Sequence, residues 1–69
     1  MTEYAVIYES DADGWSAYLP DLPGCVAAAP TREAAERSIR EALEMHLEGL
    51  REAGLPVPPA TTFAGTVAA

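Results

Sequence analysis

The chain has 69 residues, with four arginines against eleven carboxylates, one cysteine and one histidine. A chain this short forms a single domain, predicted over residues 1–69, and buries only about 60% of the surface that its unfolded form exposes. One cysteine and one histidine exclude a disulfide framework and a Cys/His metal site, which leaves self-association as the usual way to stabilise so small a domain. The net charge of −7 repels phosphate backbones, so we expect no direct nucleic-acid binding and a basic partner.

The first residues show no basic segment followed by an apolar core, and every apolar run is too short to span a bilayer. We therefore expect neither an export signal nor a membrane segment, and a location in the cytoplasm. In that reducing compartment Cys25 is predicted to be a small buried hydrophobic residue rather than a reactive thiol.

Three strands are predicted before residue 30. Residues 3–9 carry apolar side chains on both faces, which is typical of a central strand. The turn formers that end in Gly14, followed by alternation over residues 15–19, predict a hairpin. Two prolines within residues 20–24 interrupt the ladder because proline has no amide donor, and a short third strand is predicted over residues 25–29.

A long helix is predicted from Arg32, with Thr31 as its N-cap and Gly54 as its stop signal. Its apolar residues recur every three or four positions and form one stripe: Ala35, Ile39, Ala42, Leu43, a half-buried His46, Leu47 and Leu50. At roughly 30 Å the helix is longer than strands of about 20 Å, so one end overhangs the sheet. We expect a second subunit or the C-terminal tail to cover Leu47 and Leu50, in a dimer or tetramer.

After a stiff proline-rich linker, residues 61–67 are β-prone and predict a fourth strand beside the first. The complete prediction is an α+β fold of order β-β-β-α-β.

Acidic residues without any basic neighbour precede the helix and account for −5 of the net charge of −7: Glu3, Glu9, Asp11, Asp13 and Asp21. The helix is nearly neutral, and we expect ion pairs such as Glu33 with Arg37 and Glu36 with Arg40. The acidic region is either a docking surface for a basic partner or a solvated edge that charge keeps soluble.

No residue pattern indicates catalysis or a bound cofactor. Asp11, Asp13 and Gly14 match the start of a calcium loop, but Leu22 stands where the loop needs a bidentate Glu, so a turn explains them better. A dyad of Cys25 and His46 has no Asn or Gln to orient the imidazole, because the chain contains neither residue. We predict that the protein is not an enzyme and binds no metal.

The order of these features resembles the HicB family of type II antitoxins. The segment DGWSAYLPDLPGC, followed by TREAAERSIREALEMHLEGL, is similar to the family's N-terminal domain, and the resemblance covers about residues 4–59. It implies a truncated ribonuclease H-like fold with a three-stranded antiparallel sheet, a helix across it and a further strand. Catalysis is not implied, because Ala5, Val6 and Ile7 occupy the centre of the first strand and residues 61–67 contain no acid.

The resemblance also implies a function. Members of the family bind and inhibit a small basic HicA-like toxin that cleaves messenger RNA, and an acidic domain suits that target. On this hypothesis Asp11, Asp13, Trp15 and Asp21 lie near the interface with the toxin. Members commonly continue into a DNA-binding domain, and these 69 residues contain none.

Two alternatives stay open. One is an orphan self-assembling domain that binds another protein or a small ligand, and the other is an enzyme that uses Cys25. A neighbouring gene for a small basic protein would argue against the first, and alkylation of Cys25 without loss of activity would argue against the second.

Overall fold

The computed structural model describes residues 2–69 and contains a three-stranded antiparallel sheet followed by one long helix. The strands are β1 (Ile7–Asp11), β2 (Gly14–Tyr18) and β3 (Val26–Ala29), and the helix is α1 (Arg32–Glu52). The α+β class and the β-β-β-α order are as predicted. No helix within residues 2–69 is long and apolar enough to cross a membrane.

The first strand is an edge strand, and the prediction that it is central was wrong. The sheet order is β1-β2-β3, so β2 lies in the middle. In this register Ile7 pairs with Tyr18, and the chain beyond Tyr18 turns away at Pro20. Residues 3–6 therefore have no strand opposite them, which is why β1 begins at Ile7 rather than at residue 3.

The fourth strand predicted over residues 61–67 does not form, because the structure shows no strand after α1 in the residues that it describes. Thr61 and Thr62 donate their backbone N–H groups to Asp21 at 2.9 and 3.1 Å. These bonds hold the start of the segment at the loop that follows β2. The start of the segment is therefore bound by the side chain of Asp21, forty residues away in sequence, and not by a neighbouring strand.

The helix ends are defined by hydrogen bonds at both caps. The Oγ1 atom of Thr31 accepts the N–H of Ala34 at 3.1 Å, as expected of an N-cap. At the other end Gly54 has a φ of 70°, and Leu55 donates its N–H to the carbonyl of Leu50 at 2.9 Å. This left-handed glycine and its hydrogen bonds form a Schellman motif, which confirms Gly54 as the stop signal.

The core lies between α1 and the inner face of β2 and β3. It consists of six buried residues: Ala17, Leu19, Leu22, Cys25, Ala35 and Ile39. Three of them come from the loop between β2 and β3, where Leu22 accepts the N–H of Cys25 at 3.0 Å and donates its own N–H to Leu19 at 3.1 Å. The proline-containing loop is therefore a compact turn that inserts Leu22 into the core.

The start of α1 is also tied to β1. The Arg32 guanidinium lies 5.0 Å from the ring centre of Tyr8, within the range of a cation–π contact. The same side chain forms the ion pair of the helix, with Nε of Arg32 3.4 Å from Oε1 of Glu36. Neither predicted pair, Glu33 with Arg37 or Glu36 with Arg40, is present among the described residues, because Glu36 pairs with Arg32 instead.

Candidate protein-binding site

The turn between β1 and β2 is built around Asp11. Its Oδ1 atom accepts the N–H groups of Asp13 at 2.8 Å and Gly14 at 3.1 Å, which closes an Asx-type turn. Gly14 has a φ of 140°, and a Cβ atom there would lie 2.7 Å from the carbonyl oxygen of Ala29. Only glycine allows β3 to approach the turn so closely, so the acidic turn and β3 are held together.

Three of the four residues expected near a partner meet at this end of the sheet. Asp11, Asp13 and Trp15 line an open cleft of about 350 Å³, together with Gly14, Ser16, Ala28 and Ala29. Trp15 pairs with Ser10 on one side and Ala29 on the other, and its half-buried side chain packs against the core. The cleft thus brings together two exposed acidic residues and Trp15, whose side chain packs against the core.

Asp21 lies apart from this cleft, because the whole of β2 separates it from the acidic turn. Its carboxylate accepts the hydroxyls of Thr61 at 2.9 Å and Thr62 at 2.8 Å, in addition to their two backbone N–H groups. The hydrogen bond from the Thr62 side chain, followed by that from the Thr61 backbone, lowers the pKa of Asp21 from 3.8 to about 2. The structure therefore uses Asp21 to fasten the C-terminal tail.

The outer face of the sheet, turned away from α1, is a feature that the sequence interpretation missed. Ile7, Tyr18 and Val26 form one row across the three strands, with Tyr18 38% and Val26 64% exposed. The next row is Glu9, Ser16 and Ala28, which leads to the acidic cleft. The alternation of side chains along β2 and β3 was the available sequence signal. Only the register between the strands shows that Ile7, Tyr18 and Val26 lie in one row.

The two residues assigned to an oligomer interface lie on the last third of α1. Both side chains are half-buried, and Leu50 also packs against the core. His46 is also half-buried, as predicted. The role of Leu47 and Leu50 in an oligomer stays a prediction.

Cys25 has the properties of a core residue. It is 3% exposed, and burial raises the pKa of its thiol above the ordinary value of 9.0. Since a thiolate is the nucleophilic form, this environment opposes reactivity. Within residues 2–69 no three His, Cys, Asp or Glu side chains are grouped so that they could hold a metal ion.

In the part of the chain that the structure describes, a helix covers one face of the three-stranded sheet and leaves the other face uncovered, with an acidic cleft at one end. These features define a small α+β domain. Residues 4–69 match a family model described as the HicB-like antitoxin of bacterial toxin-antitoxin systems. The chain belongs to this HicB-like antitoxin family.

Similar proteins occur in bacteria, an archaeon and a phage. A UPF0150 protein from Synechocystis is 39% identical over 56 residues, covering 80% of this chain and 71% of the relative. A UPF0150 protein from Thermoplasma acidophilum is 33% identical over 57 residues, covering 81% of this chain and 83% of the relative. An uncharacterized protein from the rep-hol intergenic region of Haemophilus phage HP1 is 37% identical over 49 residues, or 71% of this chain, which spans only 37% of the phage protein.

A solved structure shares the fold. A chain of the HicA3 and HicB3 toxin-antitoxin complex is 30% identical to this protein and superposes with a TM-score of 0.72, covering 86% of this chain and 70% of that chain. The family match and this structure agree in indicating an antitoxin domain.

Proposed function

We propose that this protein is a non-enzymatic inhibitor that binds a small basic RNA-cleaving toxin through the outer face of its sheet and the adjoining acidic cleft. The observation that carries the proposal is the convergence of Asp11, Asp13 and Trp15 in one cleft, at the end of an uncovered sheet face, in a domain of the antitoxin family. The structural match to a chain of a toxin-antitoxin complex supports the same partner class.

The charge distribution favours a basic partner at this surface. All four arginines lie on α1, whereas the acids that precede the helix have no basic residue among them. The sheet side therefore carries a negative potential that attracts cationic proteins and speeds their encounter. Asp13 contributes to this potential from the exposed turn.

The apolar row of Ile7, Tyr18 and Val26 supplies apolar contact area, which the charged residues do not provide. Val26 and Tyr18 are exposed on the sheet, and each has few rotatable side-chain bonds, so little side-chain entropy is lost when a partner covers them. Interfaces commonly bury such an apolar centre inside a polar rim. In this domain the row of Ile7, Tyr18 and Val26 is the proposed centre, and Glu9, Asp11 and Asp13 are part of the proposed rim.

Inhibition without catalysis accords with the state of the reactive groups. The thiol of Cys25 is buried with a raised pKa, and Asp21 is occupied by four hydrogen bonds. Neither group is placed to act on a substrate.

The test is an RNA-cleavage assay with a purified small basic ribonuclease of the HicA-like toxin class, titrated with the purified protein. Wild-type protein is expected to abolish cleavage at a one-to-one ratio. Val26→Asp places a charge at the centre of the interface and is expected to weaken inhibition at least about tenfold. Met45→Asp is the matched control, because Met45 is 73% exposed on the helix side and its substitution leaves the sheet face intact.

Cleavage that continues in a large excess of wild-type protein would refute the inhibitor function and leave the orphan-domain alternative. Equal inhibition by Val26→Asp and Met45→Asp would refute the assigned surface while leaving the function standing.

A further inference from the structure

A second surface feature lies on the inner side of β1, where the sheet extends past the helix. A groove of about 210 Å³ opens between β1 and α1, lined by Val6, Tyr8, Leu19, Ile39 and Leu43, with Glu36 and Arg40 at its rim. In the part of the chain that the structure describes, β1 has a paired strand on one side only. An unpaired edge beside an apolar groove is the geometry to which another strand can be added.

The C-terminal tail has the composition of that missing strand. Phe63 is 83% exposed and Val67 is 94% exposed. In an extended conformation they share one face with Gly65, while Ala64 and Thr66 take the other, because side chains alternate along a strand. The segment therefore has an apolar face that stays exposed to solvent in its own chain.

Within the described residues, the tail forms no strand pair with β1 of its own chain. The hydroxyl of Tyr4 donates to the carbonyl of Pro58, and Asp21 then holds Thr61 and Thr62 at the loop after β2. The seven residues that follow extend into solvent. The radius of gyration, 13.2 Å, accordingly exceeds the value of about 11 Å expected for a compact domain of this length.

We propose that residues 63–68 of one copy pair with the free edge of β1 in a second copy, and that Phe63 and Val67 fill the groove between β1 and α1. Reciprocal exchange of the two tails gives a symmetric dimer, in which each contact is made twice. The Asp21 anchor fixes the point from which each tail departs.

Charge explains why the tail is suited to join two copies. Each copy carries a net charge of −7, so most pairs of surfaces repel one another. Residues 53–69 contain no charged side chain. A contact made by this segment therefore brings no additional charged side chain to the groove of the second copy.

The first test is the mass in solution, measured by light scattering on the protein alone at about 100 μM, a concentration at which a specific dimer of micromolar affinity is populated. Wild-type protein is expected at twice the 7.3 kDa chain mass. Val67→Asp is expected to be monomeric, because it places a charge in the groove. Thr66→Asp is the matched control on the opposite face of the same segment and should remain dimeric.

The second test identifies which chain supplies the strand. In a mixture of isotope-labelled and unlabelled protein, filtered NMR should detect contacts between Val67 methyls of one copy and the Tyr8 ring of another. A monomeric wild type, a dimeric Val67→Asp variant, or contacts within one chain only would each overturn the proposal. No toxin is present in either test, so the result is independent of the inhibitor function.

Discussion

Asp21 fastens the C-terminal tail to the loop after β2 with both of its carboxylate oxygens. Its Oδ2 atom accepts the N–H groups of Thr61 and Thr62, and its Oδ1 atom accepts their hydroxyls, with all four distances between 2.8 and 3.1 Å. These donors favour the ionised carboxylate, because protonation removes acceptor capacity from a group that is accepting four hydrogen bonds. The tail contact therefore depends on the charge of one side chain.

This dependence predicts release of the tail in acid. The pKa of Asp21 is about 2 with the tail bound, compared with an ordinary value of 3.8. A depressed pKa gives stabilisation that is fully present above the ordinary value and is lost as the pH falls from about 4 through 2. We expect the amide shifts of Thr61 and Thr62 to follow a titration with a midpoint near pH 2 by NMR.

Asp21→Asn provides the control for this titration, because it removes the ionisable group while keeping the size of the side chain. Its threonine amides should show no transition over the same range. A wild-type midpoint close to 3.8 would mean that the four hydrogen bonds do not persist in solution.

Leu22 is the most deeply placed large side chain, at 1% exposure. Replacing it with alanine removes its core contacts and leaves a cavity, which lowers the free energy of unfolding by about 2–5 kcal/mol. In a domain this small that loss is a large part of the total stability. Urea unfolding followed by circular dichroism should show a much lower midpoint with an unchanged m-value.

The comparison for Leu22→Ala is Leu55→Ala. Leu55 is 56% exposed, so truncation there removes far less buried surface and should shift the midpoint much less. Similar shifts for both variants would contradict the placement of Leu22 in the core.

At the scale of elements, the N-cap of α1 can be tested by itself. Thr31→Ala removes the oxygen that accepts the N–H of Ala34, and the cost is about 1 kcal/mol of unfolding free energy. Thr31→Ser keeps a hydroxyl at the same position and should recover most of that loss. Urea unfolding of the two variants checks the result, and equal stability of alanine and serine would exclude a functional cap.

The helix was predictable because its signals are local. Thr31, the apolar stripe and Gly54 lie within the segment that they define, so no distant contact changes their meaning. The order of the strands depends on non-local pairing, and the apolar residues on both faces of residues 3–9 did not show that one face stays uncovered. The tail was misassigned for the same reason, since its conformation is set by Asp21, forty residues away.

In the candidate site, too, the residues that are close in sequence were predictable and those that meet through non-local contacts were not. Asp11, Asp13 and Trp15 are close in sequence, and one turn brings them into a common cleft. Asp21 shares their charge but not their position, because β2 lies between them. The apolar row of Ile7, Tyr18 and Val26 joins three strands, so it required the register of the sheet.

At the scale of the whole molecule, charge is divided between the two layers. The acids before the helix contribute −5, while the helix, with six acidic residues and four arginines, contributes only the remaining −2 of the total of −7. A field of this kind acts on a cationic partner over roughly 8 Å at physiological ionic strength and is screened by salt. The asymmetry therefore governs how fast a partner arrives more than how long it stays.

Two double substitutions, each of which removes two negative charges, distinguish electrostatic steering by the acidic cleft from an effect of net charge alone. Asp11→Asn with Asp13→Asn removes two charges from the cleft, and asparagine at residue 11 still accepts the hydrogen bonds that close the turn. Glu44→Gln with Glu48→Gln removes two charges from exposed helix positions. We expect the first pair to slow association with the basic ribonuclease about three- to tenfold at low salt and the second pair to have little effect.

Stopped-flow association rates between 20 and 500 mM salt provide the measurement, and the wild-type rate should converge on that of the Asp11→Asn, Asp13→Asn variant as salt rises. Convergence follows because screening removes the advantage that the two carboxylates give, while the apolar row proposed as the centre of the interface carries no charge for salt to screen. Dissociation rates should therefore stay within about twofold of each other. Equal slowing by the two double substitutions would show that the partner responds to total charge, and the acidic cleft would then have no special part in its capture.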